Sequence, residues 1–338
     1  MKEMFKNYNL QLFAEPNTNV TANAEGVITP ALSPEMKTYY SDYLIDNAIP
    51  KLVHDQFGQK HPIPKNGGKT IEFRKFSPLP KLTNPITEGV TPDGQSLTVT
   101  TVEATVQQYG GYVTLSDVLL LTAIDNNLLQ ATKLLGAQAG STLDTITREV
   151  LNGGTNVIYA GGKSAREDLD GNSLLMVEDI KKAVRLLKSQ NAEKINNDWV
   201  AIIHPDISYD LTNDPAWKDV KTYDPDDLYE GEIGKLYGVR FVETTEAKVW
   251  AKGGKGNENG QRAVYSTLVL GDNAYGVTEV SGGGLQHIVK QLGSAGTGDP
   301  LNQRATAGWK ATKVAERLVD NYMVRIESAS TFNPAENN

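Results

Sequence analysis

The period of the apolar positions changes along this chain, and each change marks an element. In TIEFRKF, residues 70–76, Ile71 and Phe73 alternate with Glu72 and Arg74, the two-residue repeat of a half-buried strand. Residues 97–116 are rich in Thr, Val and Tyr, but their apolar phase slips twice. It runs Leu97 and Val99, then Val102, Ala104 and Val106, then Val113 and Leu115, with Gly110 and Gly111 at the second slip. The slips predict bulges or bends in one long twisted ribbon. Its two arms are joined by FRKFSPLPKLTNPITEGVTPDG, residues 73–94, which contains Pro78, Pro80, Pro85 and Pro92. Hairpin connections normally take two to five residues, and this one has few apolar residues to bury.

The period then lengthens to that of a helix. Leu128, Thr132, Leu135, Ala139, Leu143, Ile146 and Val150 form one stripe, with Asp125 as the expected N-cap and Asn152-Gly153-Gly154 as the stop. Such a rod is roughly 40 Å long. Gly136 and Gly140 within it predict close approach of another backbone. A second amphipathic helix, VEDIKKAVRLLKSQ, buries Ile180, Ala183, Val184 and Leu187. WVAIIH, residues 199–204, reads as a buried strand ended by Pro205, and KLYGVRFVETTEA and TLVLGDNAYGVTEV supply further strands. The loop between those two, AKGGKGNENGQ, is expected to be exposed and mobile. Near the start, residues 15–30 read as an extended polar arm. Ser33 and Pro34 open a helix that ends near Pro50, followed by the short turn LVHDQF. The order of elements predicts an α+β fold.

Composition narrows the chemistry. There are 338 residues, enough for a real core, with a net charge of −8 and no basic block. Groove-reading DNA binding is therefore disfavoured, since it needs clustered Lys and Arg. With no cysteine, disulfides, Cys-ligated zinc and thiol nucleophiles are excluded. No apolar run approaches the ~20 residues of a membrane helix, and the opening MKEMFKNYNLQLFAE lacks the continuous apolar stretch of a signal peptide.

Candidate reactive motifs fail on spacing. Gly161-Gly162-Lys163-Ser164 ends like a phosphate-binding loop, but Val157 stands where that loop needs its first glycine. The acidic runs EDLDGNS and YDPDDLYEGE lack the ligand pattern of a calcium loop. His54, His61, His204 and His287 form no metal-binding pair, so neither a metal nor a cofactor is expected. His204-Pro205-Asp206 at a strand end is the most enzyme-like fragment, but it has no GxSxG nucleophile turn to serve. No catalytic residue is assigned. Long segments without a local core point instead to other protein chains as partners.

Longer strings carry a resemblance. LVHDQFGQKHPIPKNGGKTIEFRKFSPLP, TEGVTPDGQSLTVTTVEATVQQYGGYVTLSD, LVLGDNAYGV and LGSAGTGDPLNQRATAGWKAT resemble the major capsid proteins of tailed bacteriophages with the Hong Kong 97-type fold. The resemblance covers roughly residues 35–328. It implies an N-terminal arm (1–62), an extended β-hairpin loop (63–116), a peripheral domain with a long spine helix (117–195), an axial domain (196–280) and closing peripheral strands (281–338).

It also implies a non-enzymatic protein that self-assembles into pentamers and hexamers of an icosahedral shell in the host bacterial cytoplasm. That shell would enclose double-stranded DNA without reading its sequence, and would need a portal and a separate scaffolding protein. No membrane is involved. The loop residues expected between subunits are Arg74, Lys75, Pro78, Pro80, Lys81, Pro85, Glu88, Pro92 and Asp93. A Lys–Asn cross-link from Lys75 or Lys81 is not expected. The rival readings are an encapsulin-like cellular compartment and a hydrolase using His204 and Asp206.

Overall fold

A computed structural model gives the fold. It describes residues 18–19, 53–62, 70–76, 79–83, 85, 88–89, 91, 94–122, 127–218, 234–256, 261–278, 285–294, 298–334 and 337–338. The helix expected after Ser33, the cap at Asp125 and the acidic run YDPDDLYEGE lie outside those residues.

Strands β1 (Thr18–Asn19), β2 (Gln59–His61), β3 (Thr70–Phe76), β4 (Val99–Thr105) and β5 (Gln107–Ser116) come first. Helices α1 (Asp117–Thr122) and α2 (Asn127–Asn152) follow. Next are β6 (Val157–Tyr159), α3 (Val177–Ser189), β7 (Trp199–Ile203) and α4 (Pro205–Asn213). Then come β8 (Lys235–Leu236), β9 (Val239–Glu243), β10 (Val249–Gly254), β11 (Arg262–Leu270) and β12 (Tyr275–Thr278). The chain closes with β13 (Leu285–Lys290), β14 (Arg304–Lys313), β15 (Ala315–Arg317) and β16 (Met323–Ser328).

The chain divides into two units. The first takes in the described residues of Met1–Ala48, which are Thr18–Asn19, with those of Gly110–Ala139 and Gln286–Lys310; the second takes in those of Ile49–Tyr109, Gly140–Leu285 and Ala311–Asn338. In the first unit, Leu115, Leu119 and Ala131 form a small apolar cluster. Strands β5 and β14 are neighbours in a four-stranded sheet of order β1-β5-β14-β13. Gly110 is required there, because a Cβ would sit 2.7 Å from the Trp309 carbonyl oxygen.

The second unit is built on a seven-stranded sheet of order β6-β16-β11-β7-β9-β8, with β10 also pairing β11. The unbroken apolar run of β7 follows from burial on both faces. Trp199, Ala201 and Ile203 pack with Ile180, Ala183 and Leu187 of α3. Val200 and Ile202 point the other way, into a cluster with Leu151, Leu268 and Tyr275. All four apolar residues expected on the inner face of α3 are buried. Glu178 and Asp179 open that helix and Lys188 closes it, matching its macrodipole.

Four expectations need correction. The ribbon is not continuous, because Val106 separates β4, which pairs β3, from β5, which joins another sheet. The expected exposed loop AKGGKGNENGQ begins as strand, since Ala251–Gly254 completes β10 against β11. Among the described residues nothing lies within 4 Å of a Cβ placed on Gly136, so the close backbone approach expected there is not seen among them. Along α2, Leu135, Ala139 and Leu143 are buried as expected, but the buried face then turns to Asp144, Thr147 and Arg148. Ile146 and Val150 are only half-buried. A polar segment lies against that turn of α2, so periodicity of apolar residues could not register it.

Candidate assembly interface

The ribbon β3–β4 has a firm base and an unsupported outer part. Its register pairs Ile71 with Ala104 and Phe73 with Val102, so the inward positions of both strands coincide. Ile71, Phe73 and Ala104 are buried there against Val102, Val106, Val314 and Leu318. The Phe73 ring meets His61 edge-on at 4.8 Å between centroids. Gly276 makes room for it, since a Cβ at that position would lie 2.4 Å from the Phe73 ring.

Beyond the base the chain has little of its own to pack on. Leu79 is 51% exposed, Leu82 80%, Leu97 68% and Val99 43%, and every described residue from 79 to 101 is exposed. The outward pairs do not favour an isolated ribbon. Glu72 lies directly opposite Glu103, and like charges so placed are destabilising. Arg74 approaches Glu72 at 3.6 Å with both side chains exposed, a contact worth little. A two-stranded ribbon is marginal by itself in water.

Of the nine loop residues singled out from the sequence, Pro80, Lys81, Pro85 and Glu88 are exposed beyond the strands, and Arg74 is exposed on β3. Lys75 has its backbone in β3, opposite Thr100. The Lys75 side chain, Pro78, Pro92 and Asp93 lie outside the described residues.

The turn leading towards the ribbon is held by a buried polar cluster that sequence reasoning missed. Asp144 of α2 accepts from the His54 backbone N–H at 2.8 Å and contacts its Nδ1 at 2.7 Å. Asp55 accepts from the Thr147 hydroxyl at 2.6 Å and is paired with the ammonium of Lys313. The Tyr275 hydroxyl donates to the His54 carbonyl, and burial pushes its phenol well above the ordinary range. His54, Asp144, Thr147 and Lys313 are almost wholly removed from solvent. Only His54 and Asp55 in the short turn LVHDQF signalled the cluster, and their partners lie about 90 or more residues away.

The enzyme-like fragment is a helix start. His204 is the N-cap of α4, its Nδ1 accepting from the Asp206 N–H at 3.2 Å, with Pro205 in the first turn. Asp206 accepts from the Tyr265 hydroxyl at 2.6 Å. Burial lowers the His204 pKa against the opposing pull of Asp206 and Glu243, while burial and the Asp206 contact hold the Tyr265 phenol far up. These groups satisfy one another. Lys163 likewise serves structure, pairing with Asp170 at 2.9 Å, which with Ser173 and Asn172 lowers that carboxyl to about 2. Among the described residues no group of three His, Cys, Asp or Glu could hold a metal ion.

The family model for phage capsid protein matches residues 121–292, a span that includes α2 to α4 and most of the seven-stranded sheet. The chain belongs to the phage capsid protein family. It is a major capsid protein, a subunit whose work is to build a shell. No protein with a curated description matches its sequence.

Solved structures show the fold of this capsid protein. The capsid of Ralstonia phage GP4 superposes with a TM-score of 0.65 at 13% identity, covering 90% of this chain and 98% of that one. The capsid of the cyanophage P-SCSP1u gives 0.61 at 13% identity, covering 88% and 94%. The SrpI encapsulin complex from Synechococcus elongatus gives 0.53 at 10% identity, covering 89% and 95%.

Proposed function

We propose that this capsid protein assembles through pentamers and hexamers into an icosahedral shell of the Hong Kong 97 type around double-stranded DNA, and that each ribbon is a strap lying on a neighbouring subunit. The observation that carries the strap is the exposure of Leu79, Leu82, Leu97 and Val99 on a ribbon with a buried base. Apolar surface of this kind is stabilised when another chain covers it, by about 25 cal/mol per Å2 removed from water. Proline at positions 78, 80, 85 and 92 restricts the free segment, so less entropy is lost when it is fixed. Arg74, Lys75, Lys81, Glu88 and Asp93 supply polar contacts around that apolar strip.

In this reading residues 1–62 are the arm, 63–116 the extended loop, 117–195 and 281–338 the peripheral domain, and 196–280 the axial domain. Many modest contacts act together once the shell closes. The net charge of −8 suits a wall that encloses DNA without gripping it. A separate scaffolding protein and a portal complete the particle, which assembles in the bacterial cytoplasm.

A compartment shell is the second reading, supported by the likeness to an encapsulin. The two differ in contents, DNA or a docked cargo protein. The strap is tested by deleting residues 78–92 and joining the ribbon with Asn-Gly. The variant subunit is expected to fold but to give few shells by electron microscopy, whereas shells in wild-type yield would refute the strap.

A further inference from the structure

Strand β10 lies at an edge of the seven-stranded sheet, since among the described strands it pairs only with β11. The Lys248 carbonyl accepts from Ser266 of β11 at 2.9 Å. Successive peptide groups of a strand point to opposite sides, so the N–H groups of Val249 and Ala251 point away from the sheet. These are the groups an added strand would use. Both are already taken by side chains from the last residues of the chain. Val249 N–H donates to Asn338 Oδ1 at 2.8 Å, and Ala251 N–H donates to Asn337 Oδ1 at 2.7 Å. Asn338 Nδ2 in turn donates to the Ala247 carbonyl at 2.5 Å and the Thr245 carbonyl at 3.1 Å. One side-chain amide therefore both accepts and donates along this edge, as the peptide group of a paired strand would.

The arrangement is anchored in the core. Arg148 of α2, with its side chain 2% exposed, donates to the Asn338 carbonyl at 3.0 Å and to the Glu246 carbonyl at 2.8 Å. Asp210 accepts from the Ser330 hydroxyl, the Thr331 hydroxyl and the Thr331 N–H at 2.6, 2.6 and 2.9 Å. Asn333 Oδ1 accepts from the Ala263 N–H of β11 at 2.8 Å.

Two features separate this from incidental packing. The path of the sheet ends in short strands, β6 with three residues and β8 with two, whereas β10 has six. The long edge is the one that is capped, and long open edges are where sheets join other chains. Moreover, an amide side chain ends a ladder. A paired strand would cover β10 but offer a new edge of its own; Asn337 and Asn338 offer none.

We infer that the outer edge of β10 is a strand-docking edge held shut by the chain's own Asn337 and Asn338, and that the occupant it excludes is an extended strand of a second copy. A shell subunit meets its own kind at the highest concentration. Each copy also carries the ribbon β3–β4, which pairs with no other described strand. The cap thus keeps subunits from joining edge to edge outside the geometry of the shell. The inference does not depend on the strap, because it concerns subunits before they assemble.

The test uses the full chain with Asn337→Ala and Asn338→Ala together. Hydrogen exchange at the Val249 and Ala251 amides is expected to rise about tenfold or more, with β7 amides unchanged as the check of folding. Light scattering is expected to show irregular association at concentrations where the wild type has none. A peptide of residues 329–338 added in trans is expected to reverse both effects. Wild-type exchange at Val249 and Ala251 would overturn the inference, and so would faster exchange without association. Should the double variant fail the folding check, Asn337→Ala alone removes the acceptor of the Ala251 N–H and leaves Asn338 in place, and the same two outcomes are read at the Ala251 amide.

Discussion

Strands β4 and β11 are made of similar residues and lead opposite lives. Both contain Val, Thr and Ala, and both pair in antiparallel register. Every residue of β11 after Arg262 is buried, whereas in β4 only Ala104 is. Local preference for the extended state thus decides that each is a strand, while neighbours decide how much of it meets water. Strand β11 has partners on both edges and clusters on both faces. Among the described residues strand β4 has one edge partner and a cluster only at its base. On the strap proposed above, the second kind of strand holds its apolar residues for a neighbouring subunit.

The sharpest way to break the first region is to remove the charge at its centre. Glu327 on β16, opposite Ser266 of β11, is fully buried. It accepts two bonds from Arg166 at 2.7 and 2.6 Å and lies 2.8 Å from Arg325 Nε. Replacing it with Ala leaves both guanidinium groups uncompensated. The expected loss of folding stability is about 3–5 kcal/mol, measured by urea unfolding of the subunit. A loss under about 1 kcal/mol would mean that water or rearrangement takes over the carboxylate's part.

The next test compares the two regions directly with one chemical change. Leu268 on β11 is 2% exposed and Leu97 beside β4 is 68% exposed. Leu268→Ala is expected to cost about 2–5 kcal/mol of subunit stability. Leu97→Ala is expected to change it by no more than about 0.5 kcal/mol while lowering the yield of shells. If Leu97→Ala destabilised the isolated subunit as much as Leu268→Ala, the ribbon would have a core within its own chain and the contrast would collapse.

The boundary between buried base and free ribbon is set by one glycine. A Cβ on Gly276 would overlap the Phe73 ring, so Gly276→Ala is expected to shift that ring and cost about 1–3 kcal/mol, as overpacking does. Hydrogen exchange should locate the loss in β3 and β4, with β7 and β11 protected. Uniform loss across the sheet would place the ribbon's base inside the cooperative core.

What the sequence revealed follows the same contrast. Helix α3 and strand β7 were legible because their apolar spacing is also their burial pattern. The exposure of the described residues between β3 and β4 was legible as a shortage of apolar residues. Three things were hidden. The split at Val106 depends on which sheet receives β5, which is a long-range fact. The polar cluster of His54, Asp55, Asp144, Thr147 and Lys313 joins residues far apart along the chain and has no period. The strand β10 was masked by the Lys and Gly residues of AKGG, which lower strand propensity but suit an edge.

The smallest effect expected is a slope. Burial lowers the pKa of His204, so the folded state takes up its proton less readily than the unfolded chain does. The stability tied to the neutral ring is complete above the unfolded value, about 6.5, and is lost as the pH falls from there through the lower folded value. Geometry points the same way, because a proton on Nδ1 removes the acceptor for the Asp206 N–H at the start of α4. His204→Asn keeps a capping acceptor and does not titrate. Its unfolding free energy should therefore fall less than that of the wild type between pH 7 and 5, with the two curves close at pH 7. Parallel curves would show that His204 titrates alike in both states. A steeper fall in the variant would mean that Asp206 and Glu243 outweigh burial, and that the imidazolium, not the imidazole, is the form that β11 and α4 hold between them.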